Sequence, residues 1–166
     1  MHVVLVTPQI PQNTGNISRL CAGTDAHLHL VQPLGFSLAD RYLKRAGLDY
    51  WPHVKLHLHP SLEDALADAP PGDVAFFSSH ATRPYTAFEP ASGEAGGAWD
   101  PWLVFGREAD GLPDAVLAHE AARTYRIPIT GHVRSLNLSN SVAVVLYDLG
   151  RRAGFPFDRA ESTAAS

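Results

Sequence analysis

The sequence predicts an α/β fold, with a mainly parallel sheet covered by helices on both faces. Three observations carry that expectation. Short apolar runs such as Val3-Val-Leu-Val6 and Trp102-Leu-Val-Phe105 alternate with segments whose apolar residues recur at helical spacing. No two consecutive runs are joined by a hairpin signal, which leaves crossover connections and hence parallel strands. Three polar islands, beginning at Asn13, Gly106 and Ser135, interrupt these elements where an ordinary core needs neither asparagine nor glycine.

The elements follow in order. Val3 to Val6 reads as a fully buried strand, and Ile17, Leu20, Cys21 and Thr24 then share one helical face behind the Asn-rich turn. His27 to Val31 is the next strand, and Leu38 to Ala46 a short helix stopped by Gly47. Val54 to Leu58 is strand-like. Ser61-Leu-Glu-Asp64 resembles a capping box, with Asp in place of Glu, and predicts a helix through Ala69 that ends at Pro70-Pro-Gly72. Asp73 to Ser79 is another buried strand, and the Gly- and Ala-rich stretch Glu89 to Asp100 a loop. Trp102 to Phe105 resumes strand character, Pro113 to Glu120 fits a helix, and Tyr125 to Ile129 is the last strand. Leu138, Val142, Val145 and Leu149 form one stripe on a closing helix of about four turns. No repeat or internal boundary is evident, so residues 1–154 are expected to form one domain and residues 155–166 a frayed tail.

Composition narrows the function. At 166 residues and 45% hydrophobic content the chain can bury a real core. Its single Cys21 excludes an intramolecular disulfide and argues for a reducing compartment. The chain enters its first strand without a basic region or cleavage site, and no apolar stretch is long enough for a membrane span, so the expectation is a cytosolic protein. A net charge of -4 gives no global nucleic-acid signature, so any RNA contact must be local. Arg41, Lys44, Arg45, Arg107 and Arg134, with Arg151 and Arg152, are the candidates, against the plainer reading of Arg41–Arg45 as a solvated helix face.

In an open parallel sheet the ligand site lies outside the carboxyl ends of the strands. Each island follows a strand and falls at that edge. The nine histidines invite a metal, especially His27-Leu-His29 and His57-Leu-His59. Residues two apart on a strand share a face, but no Cys or carboxylate completes a recognisable set, so no metal is expected. There is neither a Gly-x-Gly-x-x-Gly fingerprint nor a Walker sequence.

Four stretches then carry a family resemblance: Pro11-Gln-Asn-Thr-Gly-Asn-Ile-Ser-Arg-Leu-Cys-Ala22, Arg45-Ala-Gly-Leu-Asp-Tyr50, Phe105-Gly-Arg-Glu-Ala-Asp-Gly-Leu-Pro113 and Ser135-Leu-Asn-Leu-Ser-Asn140. In this order, over roughly residues 2 to 154, the chain resembles the SPOUT, or α/β-knot, RNA methyltransferases, and within them the small tRNA wobble-nucleotide 2'-O-methyltransferases. The resemblance implies a Rossmann-like sheet with a C-terminal trefoil knot, a homodimer, and S-adenosylmethionine held in the knot. It implies cofactor contacts around Phe77, Gly106, Ile127, Ser135 and Leu136, and methyl transfer to the ribose 2'-hydroxyl of the wobble nucleotide, cytidine or a modified uridine, in a tRNA anticodon loop; the alternatives are another tRNA or ribosomal RNA nucleotide, or a non-catalytic RNA-binding protein of the same fold.

The site residues have physical readings beside the implied ones. Gly106 either admits a flat base to the backbone or merely turns the chain. Arg19 is the family's candidate for handling the hydroxyl proton. An arginine stays protonated, so the expected role is orienting the hydroxyl or a phosphate and stabilising the developing oxyanion. Asn13 and Asn137 suit fixing a ribose or Arg19, or each could cap the helix that follows. Glu108 is either an acceptor in the active site or a surface partner of Arg107 or Arg134.

The resemblance also has departures. Similar proteins carry Pro at Arg107, Thr-Arg at Ala109-Asp110, and Val-Pro-Asp-Ser within Ile129 to Val133, so the substrate-facing loops have changed.

Overall fold

The computed structural model describes residues 1–38, 50–91 and 99–158. Its centre is a sheet of β1 (His2–Val6), β2 (His27–Val31), β3 (Lys55–His59), β4 (Val74–Phe77), β5 (Arg83–Pro84), β6 (Trp102–Phe105) and β7 (Thr124–Arg126). The order is β3-β2-β1-β6-β4-β7-β5, and every pair among the described residues is parallel. The predicted sheet class is therefore observed.

Among the described residues four α-helices accompany it: α1 (Pro11–Gly23), α2 (Leu62–Ala65), α3 (Asp114–His119) and α4 (Leu138–Arg152). Alternation along each strand assigns the two cores. Val3, Leu5, Leu28, Leu30, Leu103 and Phe105 face Ile17 and Cys21 of α1 and Val142, Val145, Leu146 and Leu149 of α4. Val4, Val6, Val31, Phe76 and Val104 face Ala65 of α2 and Val116 and Leu117 of α3. Each fully buried Leu or Val here stabilises the fold by about 1.5–3 kcal/mol relative to exposure, which is why the strands read as continuous apolar runs. Burial also raises the Cys21 thiol to about 12, so this cysteine packs rather than reacts.

Strand order positions the site. From β1 the chain builds outward through β2 and β3, then returns to the other side of β1, and β6 inserts between β1 and β4. Loops leaving β1 and β6 therefore diverge over adjacent strands, and that reversal opens a crevice at their carboxyl ends.

Several expected boundaries shift. The helix after Ser61 ends at Ala65 rather than Ala69. Its start is as expected, since the Ser61 hydroxyl accepts from the Asp64 amide at 3.0 Å. The last strand stops at Arg126 rather than Ile129, because the chain beyond it turns into the crevice instead of pairing. The short β5 was not foreseen. Helix α1 starts at Pro11, whose missing N–H suits a first turn, so Asn13 lies inside the helix and does not cap it. The expected helix over Leu38 to Ala46, with Arg41, Lys44 and Arg45, lies largely outside the described residues. Of the tail from Phe155, residues up to 158 are described, and there Phe157 sits against α4, its ring filling the space a side chain at Gly150 would take.

Candidate active site

The chain leaves β1 through Thr7, held at a positive φ of 48°, a costly backbone for a β-branched residue. It then enters α1 at Ile10, whose side chain supplies no cap. The missing cap comes from nearly a hundred residues away. Glu108 accepts hydrogen bonds from the backbone N–H groups of Gln9 and Ile10, at 2.9 and 3.1 Å, and from Asn13 Nδ2 at 3.2 Å. A carboxylate satisfies orphan donors at a helix start and meets the favourable end of its dipole.

The same network continues to the third island. Asn137 Nδ2 donates to Asn13 Oδ1 at 3.0 Å, while Asn137 Oδ1 accepts from the amides of Ser139 and Asn140 at the start of α4. Asn137 is thus both a cap and a clamp, and Asn13, 5% exposed, is the buried link between two distant loops. Of the two readings of Glu108, the structure shows an acceptor bound to Gln9, Ile10 and Asn13, and pairs Arg107 with Asp110 instead.

Arg107 pairs with Asp110 inside a tight turn closed by reciprocal bonds between the backbones of Arg107 and Gly111, each 2.9 Å. Gly111 carries the left-handed φ of 74° that this turn requires. Gly106 is needed for a different reason: a Cβ there would lie 2.0 to 2.3 Å from the Gly111–Leu112 backbone. The turn folds directly over Gly106, which makes the chain-turning reading of this glycine physically sufficient. The residues that depart from the family pattern, Arg107 and Asp110, neutralise one another.

Around this frame lies a cleft of about 500 Å³. Phe77 and Phe105, in register at the ends of β4 and β6, stack with ring centres 4.6 Å apart and line it. All five residues expected to hold a cofactor, Phe77, Gly106, Ile127, Ser135 and Leu136, line it, as do Arg107, Glu108 and the exposed Arg134. Ser78, Ser79 and His80, just past β4, line it too. Sequence reading missed them because their place beside β6 depends on strand order, which no local pattern encodes.

Arg19 stands apart. It is exposed on α1, its guanidinium 5.5 Å from the centre of the Tyr50 ring, and it borders a separate hollow at the amino ends of the strands with Met1, Asp25 and Lys55. Six residues of helix carry it about 9 Å along the axis from Asn13. Within one chain, Glu108 lines the cleft and is tied to Asn13 and through it to Asn137, which stand behind the wall and do not line it, and Arg19 is not brought into it.

A parallel sheet with a crevice at its switch point, walled by the loops after β4, β6 and β7 and braced from behind by the start of α1, defines an open α/β protein with its ligand site at the carboxyl ends of the strands. Comparison makes this particular: residues 1–147 match the SpoU rRNA Methylase family, and the chain belongs to it. A protein of Listeria monocytogenes serotype 4b (strain F2365) is 46% identical over 154 residues, covering 93% of this chain and 89% of its own length. The tRNA (cytidine(34)-2'-O)-methyltransferase of Burkholderia cenocepacia (strain HI2424) is 44% identical over 155 residues, covering 93% and 96%. A solved structure described as giving insights into the 2-OH methylation of C/U34 on tRNA superposes with a TM-score of 0.80 at 44% identity, covering 92% of this chain and 95% of that one.

Proposed function

We propose that this chain is an S-adenosylmethionine-dependent tRNA methyltransferase that modifies the ribose 2'-hydroxyl of the wobble nucleotide, cytidine or a modified uridine at position 34. The observation that carries the reading is the Glu108–Asn13–Asn137 network, which locks three loops around one cleft in a chain of this family. The similarity to relatives so named supports the substrate.

The cleft fits the cofactor. Its volume of about 500 Å³ lies in the range for small-molecule sites, and it offers an aromatic wall beside polar backbone. Phe77, Gly106, Ile127, Ser135 and Leu136 would hold the adenosine and methionine parts. S-adenosylmethionine supplies an electrophilic methyl group on a sulfonium. The protein's task is alignment, and holding reactants in line can contribute several kcal/mol. Glu108 and Asn137 do this indirectly, fixing the loops whose backbone walls the cleft. Arg134 at its rim, with Arg41, Lys44, Arg45 and Arg107, would meet phosphates.

Arg19, remote from the cleft of its own chain, would act from a second subunit, orienting the hydroxyl and stabilising negative charge as the proton leaves. A homodimer is thus part of the proposal. Exposed Ile10 before α1, and Val144 and Tyr147 on α4, give such an interface apolar contacts. The reading extends to a trefoil knot, made by the segment between β7 and α4, and to a cytoplasmic location. Among the described residues no helix is long and apolar enough to cross a membrane.

Incubation with labelled S-adenosylmethionine and total tRNA, followed by nucleoside mapping, tests the function. Label at the 2'-oxygen of nucleotide 34 is expected. Label at another tRNA or ribosomal position, or none, overturns the substrate or the activity respectively.

A further inference from the structure

Five histidines occupy the sheet face opposite α1 and α4, running from the amino ends of β1 and β2 at His2 and His27, through His29 and His57, to the carboxyl end of β3 at His59. His2 stands in register with His27, and His29 with His57. Because residues two apart share a strand face, His27 and His29 project together, as do His57 and His59. Parallel strands are normally covered by apolar side chains on both faces, so imidazoles here are not what core packing selects.

Their hydrogen bonds run in one direction. His2 Nε2 lies 2.9 Å from Asp100 Oδ2. A carboxylate only accepts, so neutral His2 carries its proton on Nε2 and presents Nδ1 as an acceptor. His29 Nε2, 2.8 Å from that nitrogen, must donate, and His29 Nδ1 then accepts from His59 Nε2 at 2.9 Å. Burial lowers His2 to about 4 and His29 to about 3, so both rings are neutral at ordinary pH. Trp102 stacks on His2 with centres 3.9 Å apart and fixes its ring plane.

His2, His27 and His29 each offer a ligand nitrogen within 4.8 Å of the others. The remaining nitrogen of each ring is engaged: His2 Nε2 with Asp100, His29 Nδ1 with His59, and His27 Nδ1 with His57 Nε2 at 3.0 Å. Metal-binding histidines are held with the outer N–H donating to a carboxylate or another acceptor, as His2 Nε2 does to Asp100 and as His29 Nδ1 would to His59 once its proton moves to Nδ1. We propose that His2 Nδ1, His27 Nε2 and His29 Nε2 bind one divalent transition-metal ion that favours imidazole, zinc first, with a fourth position open to water.

On spacing alone no Cys or carboxylate completes the histidine pairs, which is why no metal is expected from the sequence. The fold adds His2 from β1 and Asp100 from the loop before β6. Zinc–nitrogen bonds of about 2.0–2.1 Å place ligand nitrogens about 3.3 Å apart in a tetrahedron, so nitrogens now within 4.8 Å of one another would close by up to about 1.5 Å on binding. Protons balance without redox chemistry: His29 releases its Nε2 proton and takes the His59 Nε2 proton on Nδ1, and His59 regains one from solvent on its own Nδ1. The site sits at the opposite edge of the sheet from the cleft, so methyl transfer does not depend on it.

The test uses the full chain without a histidine tag, stripped with chelator and titrated with Zn²⁺ by calorimetry and thermal unfolding. One equivalent per chain and a raised Tm are expected. Asp100→Asn and His27→Gln should each weaken binding by about tenfold or more. Co²⁺ in place of zinc should give the intense visible bands of a four-coordinate site, lost in His27→Gln. Half-exposed His27 decides the matter even if the buried His29→Gln variant does not fold. No saturable binding, or binding and bands unchanged in His27→Gln, would overturn the proposal. Binding lost in His57→Gln but kept in His27→Gln would overturn this ligand set.

Discussion

At the carboxyl edge of the sheet the polar groups come from loops, and side chains 95 and 124 residues apart are tied to one another: Glu108 to Asn13, Asn13 to Asn137. Across β1, β2 and β3, from the amino end of β1 inward, the polar groups come from the strands themselves, placed by register, and the ties are between imidazoles. Loops can aim a side chain anywhere the backbone allows, but must then be held. Strand residues are held already and can be aimed only along the pleat. The difference separates two kinds of vulnerability. Changes in the tied loops of the carboxyl edge should cost turnover, while changes among the strand histidines should cost stability and leave turnover intact; Arg19, placed towards the amino ends of its own chain, belongs with the loops only through a second subunit.

The largest effects should come from Arg19 and Gly106. Arg19→Ala removes a charge-stabilising donor, and a loss of about 10²–10³ in kcat is expected with cofactor affinity nearly intact. Gly106→Val forces the Gly111–Leu112 backbone to move, since even a Cβ would lie 2.0 to 2.3 Å from it. Cofactor affinity should fall first, and turnover by about a hundredfold. Mixing the two variants locates Arg19. If it acts across a dimer, the mixed species keeps one intact cleft facing one intact arginine, and activity returns in part. If it acts within its own chain, the mixture stays inactive. At the other edge, His29→Ala leaves His2 and His59 without their shared partner, a cost of about 1–3 kcal/mol read as a lower Tm. A matching loss of kcat would show that the two edges are not independent.

Legibility in the sequence divides along the same line. The parallel sheet, α1, α4 and the meeting of three islands could be read from apolar spacing and from Asn and Gly in unexpected places. The family motifs brought in the five cleft residues Phe77, Gly106, Ile127, Ser135 and Leu136. Strand order was not legible, and with it went Ser78, Ser79 and His80, which border the cleft only because β4 lies beside β6. The place of Arg19 was illegible for a related reason, since a helix starting at the cleft carries its later residues away from it. The histidine pairs were seen, but His2 and Asp100 join them only through pairing of β1 with its neighbours.

A smaller effect tests the clamp itself. Asn137→Ala removes a helix cap, worth about 0.5–2 kcal/mol, and strips buried Asn13 Oδ1 of its donor, worth about 1–3 kcal/mol. Asn137→Asp keeps the acceptor for Ser139 and Asn140 but cannot donate to Asn13, so its loss isolates the second contribution. Thermal unfolding should rank wild type above Asn137→Asp and that above Asn137→Ala. Equal losses would mean that Asn137 acts as a clamp and hardly as a cap.

The smallest change in stability should come from the Arg107–Asp110 pair, whose side chains are 38% and 56% exposed. Exposed ion pairs contribute about 0.2–1 kcal/mol, so Asp110→Arg should leave the Tm nearly where it was. Its effect on RNA should be larger. As the chain stands, Asp110 cancels a cation at the rim of the cleft, in a protein already carrying a net charge of -4. Replacing it frees Arg107 and adds a second cation beside Arg134. Each added phosphate contact steepens the fall of log affinity with log salt by about 0.7 to 0.9. Tighter tRNA binding at low salt with a steeper slope is therefore expected from a filter-binding series. A slope identical to wild type would show that this turn does not face the RNA backbone, and would shift the search for phosphate contacts to Arg134 and to the basic stretch Arg41–Arg45.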